Sequence, residues 1–296
     1  MSRVAVRNFR KLRETPDSTS TKGRNLAIVQ TLVMGVVNVT PDSFYDGGNH
    51  FDTDEAIAFG HQLINDGADI LDIGGESSRP GATPVDEVEE FRRVLPVIRG
   101  LSPYCRVSID TMKLNVARAA VEAGATMIND ITSTLHEVAA ETGAAISLMH
   151  MQGSPQSMQD RPHYDDVVGE VLDYLVRAAT RAIHLGIKEI YIDPGIGFGK
   201  TTSHNVALLH ALPRFVATGF SVLVGTSRKR FIGQIAAPAG SSPLELDERF
   251  EGSLASATWA MSCGVSMVRV HDVKATAQAA RIVGELSGDM GDEEVA

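Results

Sequence analysis

The sequence predicts an α/β fold, a single (β/α)8 TIM barrel. Three observations lead to this prediction: short apolar runs alternate with amphipathic helical patterns, several helical patterns end at glycine, and no change in composition marks a second domain. Eight strand–helix units over about 250 residues are what such a barrel requires. A doubly wound open sheet is the alternative fold, and it usually has five or six strands.

The predicted strands are apolar runs bounded by turn residues, as expected of strands that are buried in a parallel sheet. In chain order these runs are 32–37, 70–73, 106–109, 126–128, 145–149, 190–192, 221–224 and 266–270. The helical patterns between and after them are 53–66, 86–100, 113–123, 134–142, 164–185, 204–212, 249–263 and 272–285. Glycine stands at the expected C-cap position of five helices, at Gly67, Gly124, Gly143, Gly186 and Gly264.

The two ends of the chain differ in charge from the predicted barrel at 31–287. Residues 1–30 carry seven basic and two acidic side chains, a net charge of +5, so the rest carries −15 of the total of −10. A net-acidic body argues against general nucleic-acid binding. The basic segment has the Arg- and Ser/Thr-rich composition of transit peptides but no clear apolar face. We expect a partly disordered extension leading into an early β-hairpin, and a frayed acidic tail at 288–296.

The two cysteines, Cys105 and Cys263, lie in apolar surroundings without a paired spacing. This pattern predicts buried free thiols in a reducing compartment, and hence a cytoplasmic protein. The sequence has no run of 18 apolar residues, so we expect no membrane-spanning helix.

Every predicted strand is followed by polar side chains, at the barrel end where enzymes of this fold build their active sites. Asn38 follows the first strand and begins a loop that contains Pro41 and ends at Gly47 and Gly48. Polar groups on a glycine-hinged loop at the end of a buried strand are typical of a ligand site.

Short carboxylate and amide side chains end strands three, four and six, at Asp110, Asn129 and Asp193. Such groups recognise a heterocycle with adjacent N–H donors, because a carboxylate facing such an edge accepts two parallel hydrogen bonds. For Asp110 and Asn129, helix capping is the alternative role. Three such groups on one rim favour ligand binding.

Basic side chains follow strands two, seven and eight, at Arg79, Arg228, Lys229, Arg230, Arg269 and His271. The loops after strands seven and eight form the usual anion site of these barrels, which favours a phosphate or pyrophosphate ligand. A solvated charge run is the alternative for residues 228–230. The amide oxygen of Asn38 could ligate Mg2+, a cation that binds few protein oxygens and several phosphate oxygens.

The segment from Gly195 to Thr201 is similar to a nucleotide-binding loop but departs from both patterns. Pro194 stands where the phosphate-loop pattern needs its first glycine, and Lys200 stands where the dinucleotide pattern needs its last. We therefore predict no nucleotide site here.

Eight ordered motifs between about Val33 and Val283 resemble those of the dihydropteroate synthases, enzymes of the folate pathway. They are Gly35-Val-Val-Asn-Val-Thr-Pro-Asp-Ser-Phe, Gly74-Gly-Glu-Ser-Ser-Arg-Pro-Gly, Ser108-Ile-Asp-Thr, Ile128-Asn-Asp, Met149-His-Met-Gln-Gly, Asp193-Pro-Gly-Ile-Gly-Phe-Gly-Lys, Ser227-Arg-Lys-Arg and Arg269-Val-His-Asp. The resemblance implies a condensation of 6-hydroxymethyl-7,8-dihydropterin pyrophosphate with 4-aminobenzoate, which gives 7,8-dihydropteroate and pyrophosphate. It also implies Mg2+ as cofactor, a homodimer, and sulfonamides as mimics of 4-aminobenzoate.

The resemblance also assigns roles to residues of this sequence. The pterin-binding set is Asp110, Asn129, Asp193 and Lys229. The pyrophosphate-binding set is Asn38, Arg79, Arg269 and His271, with Asn38 as the ligand of Mg2+. The aminobenzoate-binding set is Ser78, Arg79, Pro80, Phe198, Ser227 and Lys229. Asp42 and Phe44 belong to a mobile first loop, and the catalytic residues are Asp110, Lys229, Arg269 and His271.

One position departs from the family pattern, because Ser78 stands where these enzymes usually have threonine. The hydroxyl is kept and a methyl group is lost, so we expect a slightly looser pocket with the same chemistry. Two other functions share much of the pattern. A pterin-dependent methyltransferase would need the carboxylate and amide set but not the anion set, and a non-catalytic pterin-binding paralogue would bind without turnover.

Overall fold

The computed structural model describes residues 31–40, 53–77 and 82–287. Several predictions lie outside these residues: the basic extension at 1–30 with its β-hairpin, the acidic tail at 288–296, and most of the two loops at 39–48 and 76–82. The candidate site residues outside the described ranges are Asp42, Phe44, Ser78, Arg79 and Pro80.

Eight parallel strands close into one barrel in sequence order, which confirms the predicted TIM barrel over an open sheet. The strands are β1 (Leu32–Asn38), β2 (Ile70–Gly74), β3 (Arg106–Asp110), β4 (Met127–Asp130), β5 (Ala145–Met149), β6 (Ile190–Asp193), β7 (Ser221–Val224) and β8 (Met267–Val270). Five of them extend one or two residues beyond the predicted apolar run. The added residues include Asn38, Asp110, Asn129 and Asp193, so these polar side chains are parts of the strands themselves.

The described helices surround the barrel and follow the predicted alternation with the strands. They are α1 (Thr53–Asp66), α2 (Glu87–Leu101), α3 (Leu114–Glu122), α4 (His136–Thr142), α5 (Val167–His184), α6 (Thr202–His210), α7 (Leu212–Val216), α8 (Arg230–Ala236), α9 (Phe250–Ser262) and α10 (Val273–Ser287). None of them is long and apolar enough to cross a membrane.

Two features of the helices differ from the prediction. The helix predicted at 204–212 is two helices, since Thr201 caps α6 and Pro213 opens α7 at a position where proline is favoured. The short helix α8, which begins at Arg230, was not predicted, because its seven residues give too little periodicity to recognise. The five predicted glycine C-caps have positive φ angles, from 71° at Gly143 to 119° at Gly124.

Apolar side chains fill the lower part of the barrel interior, and polar side chains form the layer above them. The lower layer consists of Met34, Ile70, Met127, Ala145, Tyr191, Leu223 and Met267. Side chains alternate along a strand, so the residue two positions later points inward again, nearer the carboxyl end. Five of these seven positions hold polar residues, Asp72, Asn129, Ser147, Asp193 and Arg269, and the other two hold Val36 and Gly225. A polar layer therefore lies above the apolar one, at the carboxyl-terminal end of the barrel, which we call the mouth.

Candidate active site

Arg269 links two carboxylates across the mouth of the barrel. Its Nε donates to Asp72 Oδ2 at 2.6 Å, and its Nη2 donates to Asp110 Oδ2 at 2.7 Å. Asn129 Nδ2 donates to the same oxygen of Asp72 at 3.0 Å. The side chain of Asp72 is fully buried. Residues from β2, β3, β4 and β8 therefore form one hydrogen-bonded group, in which a single cation faces two carboxylates.

Burial raises the pKa of Asp110 to about 7, although the neighbouring Arg269 guanidinium acts in the opposite direction. The negative charges of Asp72 and Glu90 raise this pKa further. The ordinary pKa of an aspartate, about 3.9, would have kept the group ionised at neutral pH. The pKa of Asp110 therefore lies well above that ordinary value and close to neutrality.

Lys229 is held against the loop that follows β6. Its side chain passes so close to Gly197 that a Cβ added to this glycine would lie 2.9 Å from Lys229 Cδ. Gly197 also has a φ angle of 84°, which favours glycine. The ammonium group donates to the carbonyl oxygen of Ile196 and lies 4.6 Å from the centroid of the Phe198 ring. Burial lowers the pKa of Lys229, the positive charge of Arg269 acts in the same direction, and the resulting value is about 8.

Asp193, the last residue of β6, is buried beside Lys229. Its Oδ1 accepts a hydrogen bond from the backbone N–H of Gly195 at 2.7 Å, which fixes the carboxylate at the mouth. Burial raises the pKa of Asp193, and the positive charge of Lys229 opposes this shift. The predicted pterin set of Asp110, Asn129, Asp193 and Lys229 thus lies at the carboxyl ends of β3, β4 and β6 and just after β7.

His271 and Ser227 lie together where the chain leaves β7 and β8. Ser227 Oγ lies 3.0 Å from His271 Nδ1 and accepts from the backbone N–H of His271 at 3.2 Å. A cavity of about 810 Å³ is lined by Asn38 and His271 and by residues of α1 and α10 such as Gln62 and Lys274. The described residues that line it include none of the predicted pterin-binding residues, so this cavity is distinct from the space between those residues, and Asn38 and His271 are the predicted site residues that border it.

The basic run after β7 divides in the structure. Arg228 pairs with Asp272, with Nη2 and Oδ1 at 2.7 Å, and its backbone has a φ angle of 59° in the left-handed region. Lys229 turns into the mouth, whereas Arg230 is exposed at the start of α8. Of these three cations, Lys229 alone contacts the loop after β6.

Two buried groups near the mouth were missed by sequence reasoning. Asp72 was included in an apolar run, yet a carboxylate two positions after Ile70 on an inward face is a detectable signal. Lys200 is buried, and its Nζ donates to the carbonyls of Phe198 and His150 at 2.9 and 3.1 Å. The sequence analysis placed Lys200 in the rejected nucleotide-loop pattern and at the end of one family motif, and predicted no role for it.

Comparisons with known proteins fit this geometry. The family described as "Pterin binding enzyme" matches residues 34–271. The fold and the mouth thus define a pterin-binding enzyme on a (β/α)8 barrel. Dihydropteroate synthase from Escherichia coli K12 is 45% identical over 270 residues, which is 88% of this chain and 94% of that protein. Dihydropteroate synthase from Bacillus subtilis is 43% identical and covers 86% and 88% of the two chains. This chain belongs to the dihydropteroate synthase family.

Solved structures agree with this assignment. The structure of the Xanthomonas albilineans dihydropteroate synthase with 4-aminobenzoic acid superposes with a TM-score of 0.79 at 46% identity, over 88% of this chain and 94% of that one. The Yersinia pestis dihydropteroate synthase in a sulfonamide complex gives a TM-score of 0.80 at 40% identity, over 90% and 98%. The chain is accordingly a transferase that forms dihydropteroate.

Proposed function

We propose that this enzyme joins 6-hydroxymethyl-7,8-dihydropterin pyrophosphate to 4-aminobenzoate. The arylamine nitrogen forms a bond to the pterin methylene carbon. The bond from that carbon to the pyrophosphate oxygen breaks, its electron pair leaves with pyrophosphate, and the amine proton passes to solvent. The observation that carries this proposal is the convergence of Asp110, Asn129 and Asp193 with Lys229 and Arg269 at one barrel mouth. Two structures of the Xanthomonas albilineans dihydropteroate synthase, one with 4-aminobenzoic acid and one with 7,8-dihydropteroate, support these substrates.

The pterin ring is recognised by the carboxylates and the amide of the mouth. A ring edge with adjacent N–H groups suits a carboxylate, which accepts two parallel hydrogen bonds. Asp193 fits this role because the backbone N–H of Gly195 already fixes the position of its carboxylate. Asn129 is fixed by Asp72 and offers its amide oxygen as an acceptor. Lys229, whose positive charge acts on the neighbouring Asp193, completes the set.

The pyrophosphate group is bound by Asn38, Arg79, Arg269 and His271. Support comes from the cavity that Asn38 and His271 share, and from the fixed guanidinium of Arg269. Arg79 lies outside the described residues. Positive charge beside a leaving pyrophosphate stabilises the negative charge that develops on it as the bond breaks.

The residues present fit a Mg2+ ion that the substrate itself helps to hold. Within the described ranges, no cluster of three or more His, Cys, Asp or Glu residues could bind a metal alone. A single amide oxygen at Asn38 suits Mg2+, which takes most of its other ligands from phosphate oxygens and water. When bound, the ion would neutralise charge on the pyrophosphate.

Asp110 and Lys229 act on the reacting centre. Loss of pyrophosphate leaves positive charge delocalised into the pterin ring, and an ionised Asp110 opposes that charge. The pocket for 4-aminobenzoate comprises Phe198, Ser227 and Lys229 together with Ser78, Arg79 and Pro80 from the second loop.

Two further features are part of the proposal. A homodimer is supported by exposed apolar side chains on the neighbouring helices α6, α8 and α9, at Val206, Ile235, Phe250 and Trp259. Sedimentation of the purified protein measures its oligomeric state, and a monomer at micromolar concentration would contradict the homodimer.

A cytoplasmic location is supported by the free thiols of Cys105 and Cys263.

Steady-state release of pyrophosphate tests the reaction. We expect release that requires both substrates and matches dihydropteroate formed mole for mole. Tight pterin binding without turnover would identify a non-catalytic paralogue instead. Methyl transfer from a pterin substrate, without pyrophosphate release, would identify the methyltransferase alternative.

A further inference from the structure

A group of buried side chains behind the loop that follows β6 has no part in the reaction described above. We call it the Lys200 cluster; its residues are His150, Tyr164 and Lys200, and none of them is more than 9% exposed. Lys200 Nζ donates to the carbonyl oxygens of Phe198 and His150 at 2.9 and 3.1 Å, and it lies 3.1 Å from His150 Nδ1. The hydroxyl of Tyr164 donates to the carbonyl oxygen of Gly199 at 2.8 Å. Two consecutive carbonyl groups of the loop are thus held by buried side chains.

The loop needs such bonds because it is rich in glycine. Gly195, Gly197 and Gly199 have φ angles of 66°, 84° and 61°, in the left-handed region. Glycine loses more conformational freedom on folding than any other residue, so a single conformation of this loop is costly in backbone entropy. The N–H of Gly197 donates to Asn205 Oδ1 at 2.7 Å, and its carbonyl oxygen accepts from Gln159 Nε2 at 2.8 Å. Side chains around the loop therefore offset the flexibility of its own sequence.

The Lys200 cluster fixes the loop to the end of β5. The backbone N–H of His150 donates to the carbonyl oxygen of Asp193 at 3.1 Å, and a Cβ added to Gly195 would overlap the carbonyl oxygen of His150. Burial lowers the pKa of His150 to about 3, so its ring is neutral near pH 7 and has one nitrogen that accepts a hydrogen bond. Lys200 therefore binds a strand end that is itself well fixed, and the carbonyl of Phe198 is held relative to that strand.

Stability of the fold does not explain a lysine at position 200. The side chain is 3% exposed, and its three hydrogen-bond partners are two carbonyl groups and a neutral imidazole. A buried amine without a hydrogen-bonded carboxylate destabilises a fold relative to an apolar side chain of similar size. What the lysine provides is three directed N–H donors for three acceptors, which an apolar side chain cannot supply.

The loop presents two groups to Lys229 in the mouth. The ammonium group of Lys229 donates to the carbonyl oxygen of Ile196 and lies 4.6 Å from the centroid of the Phe198 ring. The backbone of Phe198 is therefore held from behind by Lys200, while its ring lies beside a proposed catalytic residue. A change in the position of this backbone would move the ring relative to Lys229.

We propose that Lys200 is a positioning residue for Phe198, with Tyr164 as a second anchor at the adjacent carbonyl group. Their hydrogen bonds keep the Phe198 ring beside Lys229, where it forms one wall of the aminobenzoate pocket. Lys200 and Tyr164 are buried behind the loop and act through Phe198. The proposal rests on the proposed function, because that function assigns Phe198 to 4-aminobenzoate.

Lys200→Met removes the three donors and keeps the length of the side chain. We expect KM for 4-aminobenzoate to rise about fivefold, because the Phe198 backbone loses its anchor. KM for the pterin pyrophosphate should change less than about twofold, since Gly195 still holds Asp193 and Asp72 still holds Asn129. The melting temperature at neutral pH should not fall, because an apolar side chain replaces a buried amine.

Tyr164→Phe is the second variant, and it removes one hydroxyl while the ring stays packed. KM for 4-aminobenzoate should rise about two- to threefold, again without a matching rise for the pterin pyrophosphate. Lys188→Met is the matched control, since it makes the same chemical change at an exposed lysine and should alter neither KM.

A double variant tests whether Lys200 acts through Phe198. In the Phe198→Leu background, Lys200→Met should raise KM for 4-aminobenzoate no further, because two residues that act through one contact are not additive. Additive effects would overturn the proposal, as would wild-type KM values in both Lys200→Met and Tyr164→Phe. A melting temperature that falls while both KM values rise equally would also overturn it, because the lysine would then serve the fold. If Phe198→Leu alone left KM unchanged, or the wild type formed no dihydropteroate, the proposed function would be refuted instead.

Discussion

Arg269 Nη2 lies 2.7 Å from Asp110 Oδ2, and this contact joins a residue of the predicted pyrophosphate set to one of the predicted pterin set. The same guanidinium is held from the other side by Asp72 at 2.6 Å. A planar guanidinium fixed by two carboxylates loses little further side-chain freedom when it binds a phosphate. Asp72 therefore prepares Arg269 for the leaving group and, through its own charge, influences Asp110.

Asp72→Asn should weaken binding of the pterin pyrophosphate and shift the pH dependence of the reaction. The variant loses one anchor of Arg269, so we expect KM for this substrate to rise about tenfold, or about 1.4 kcal/mol. It also removes a negative charge that raises the pKa of Asp110, so the acid limb of kcat/KM should move to lower pH. The exposed Asp173→Asn should change neither quantity. An acid limb at higher pH would contradict this account.

The pH profile of the wild-type enzyme should be a narrow bell. Asp110 has a pKa of about 7 and must be ionised, so activity rises as pH increases through that value. Lys229 has a pKa of about 8 and must be protonated, so activity falls above it. The two groups interact, hence the profile of kcat/KM reports apparent values for the pair. A profile that is flat between about pH 5 and pH 9 would exclude both assignments.

Lys229→Ala should lower kcat more than about tenfold, a loss of at least about 1.4 kcal/mol of transition-state stabilisation. The physical reason is that its ammonium group lies in the mouth, against Phe198 and the Ile196 carbonyl. Arg230→Ala is the matched control. The side chain of Arg230 is exposed, so its loss should leave kcat unchanged. Equal rates for the two variants would show that position 229 carries only surface charge.

Asp193→Ala should weaken binding of the pterin roughly 5- to 160-fold. The carboxylate is buried and fixed by Gly195, so the substitution leaves the N–H edge of the ring without its acceptor, and a buried donor without a partner costs about 1–3 kcal/mol. Calorimetric titration with the pterin pyrophosphate measures the effect. Near-normal affinity would remove Asp193 from the site.

The fold could be predicted because its signals are local. Apolar runs mark the strands and glycines mark the helix ends, so boundaries shifted by only a few residues. Strand ends such as Asp110 and Asp193 could be found for the same reason, since parallel strands bring their carboxyl ends to one edge. The helix α8 was missed because it is too short to show a period.

The electrostatics of the site could not be predicted in this way. The pKa of Asp110 depends on burial and on Arg269, which is 159 residues away in the sequence. The contact between Lys200 and His150 likewise joins positions whose spacing carries no local pattern. Asp72 is the exception, because its inward position could have been read from the alternation of β2.

Lys200→Met should change how stability depends on pH. Burial lowers the pKa of Lys200 to about 7, far below that of an unfolded lysine, about 10.4. Between these values the unfolded chain binds a proton that the folded chain has lost, so the cost of burying this group decreases as pH rises from about 7 to about 10. Relative to Lys200→Met, the free energy of unfolding of the wild type should rise across that window and level off below it. Urea unfolding at several pH values measures the difference, and the exposed Lys188→Met should track the wild type. A difference that stays constant or falls as pH rises would show that the buried lysine stays charged.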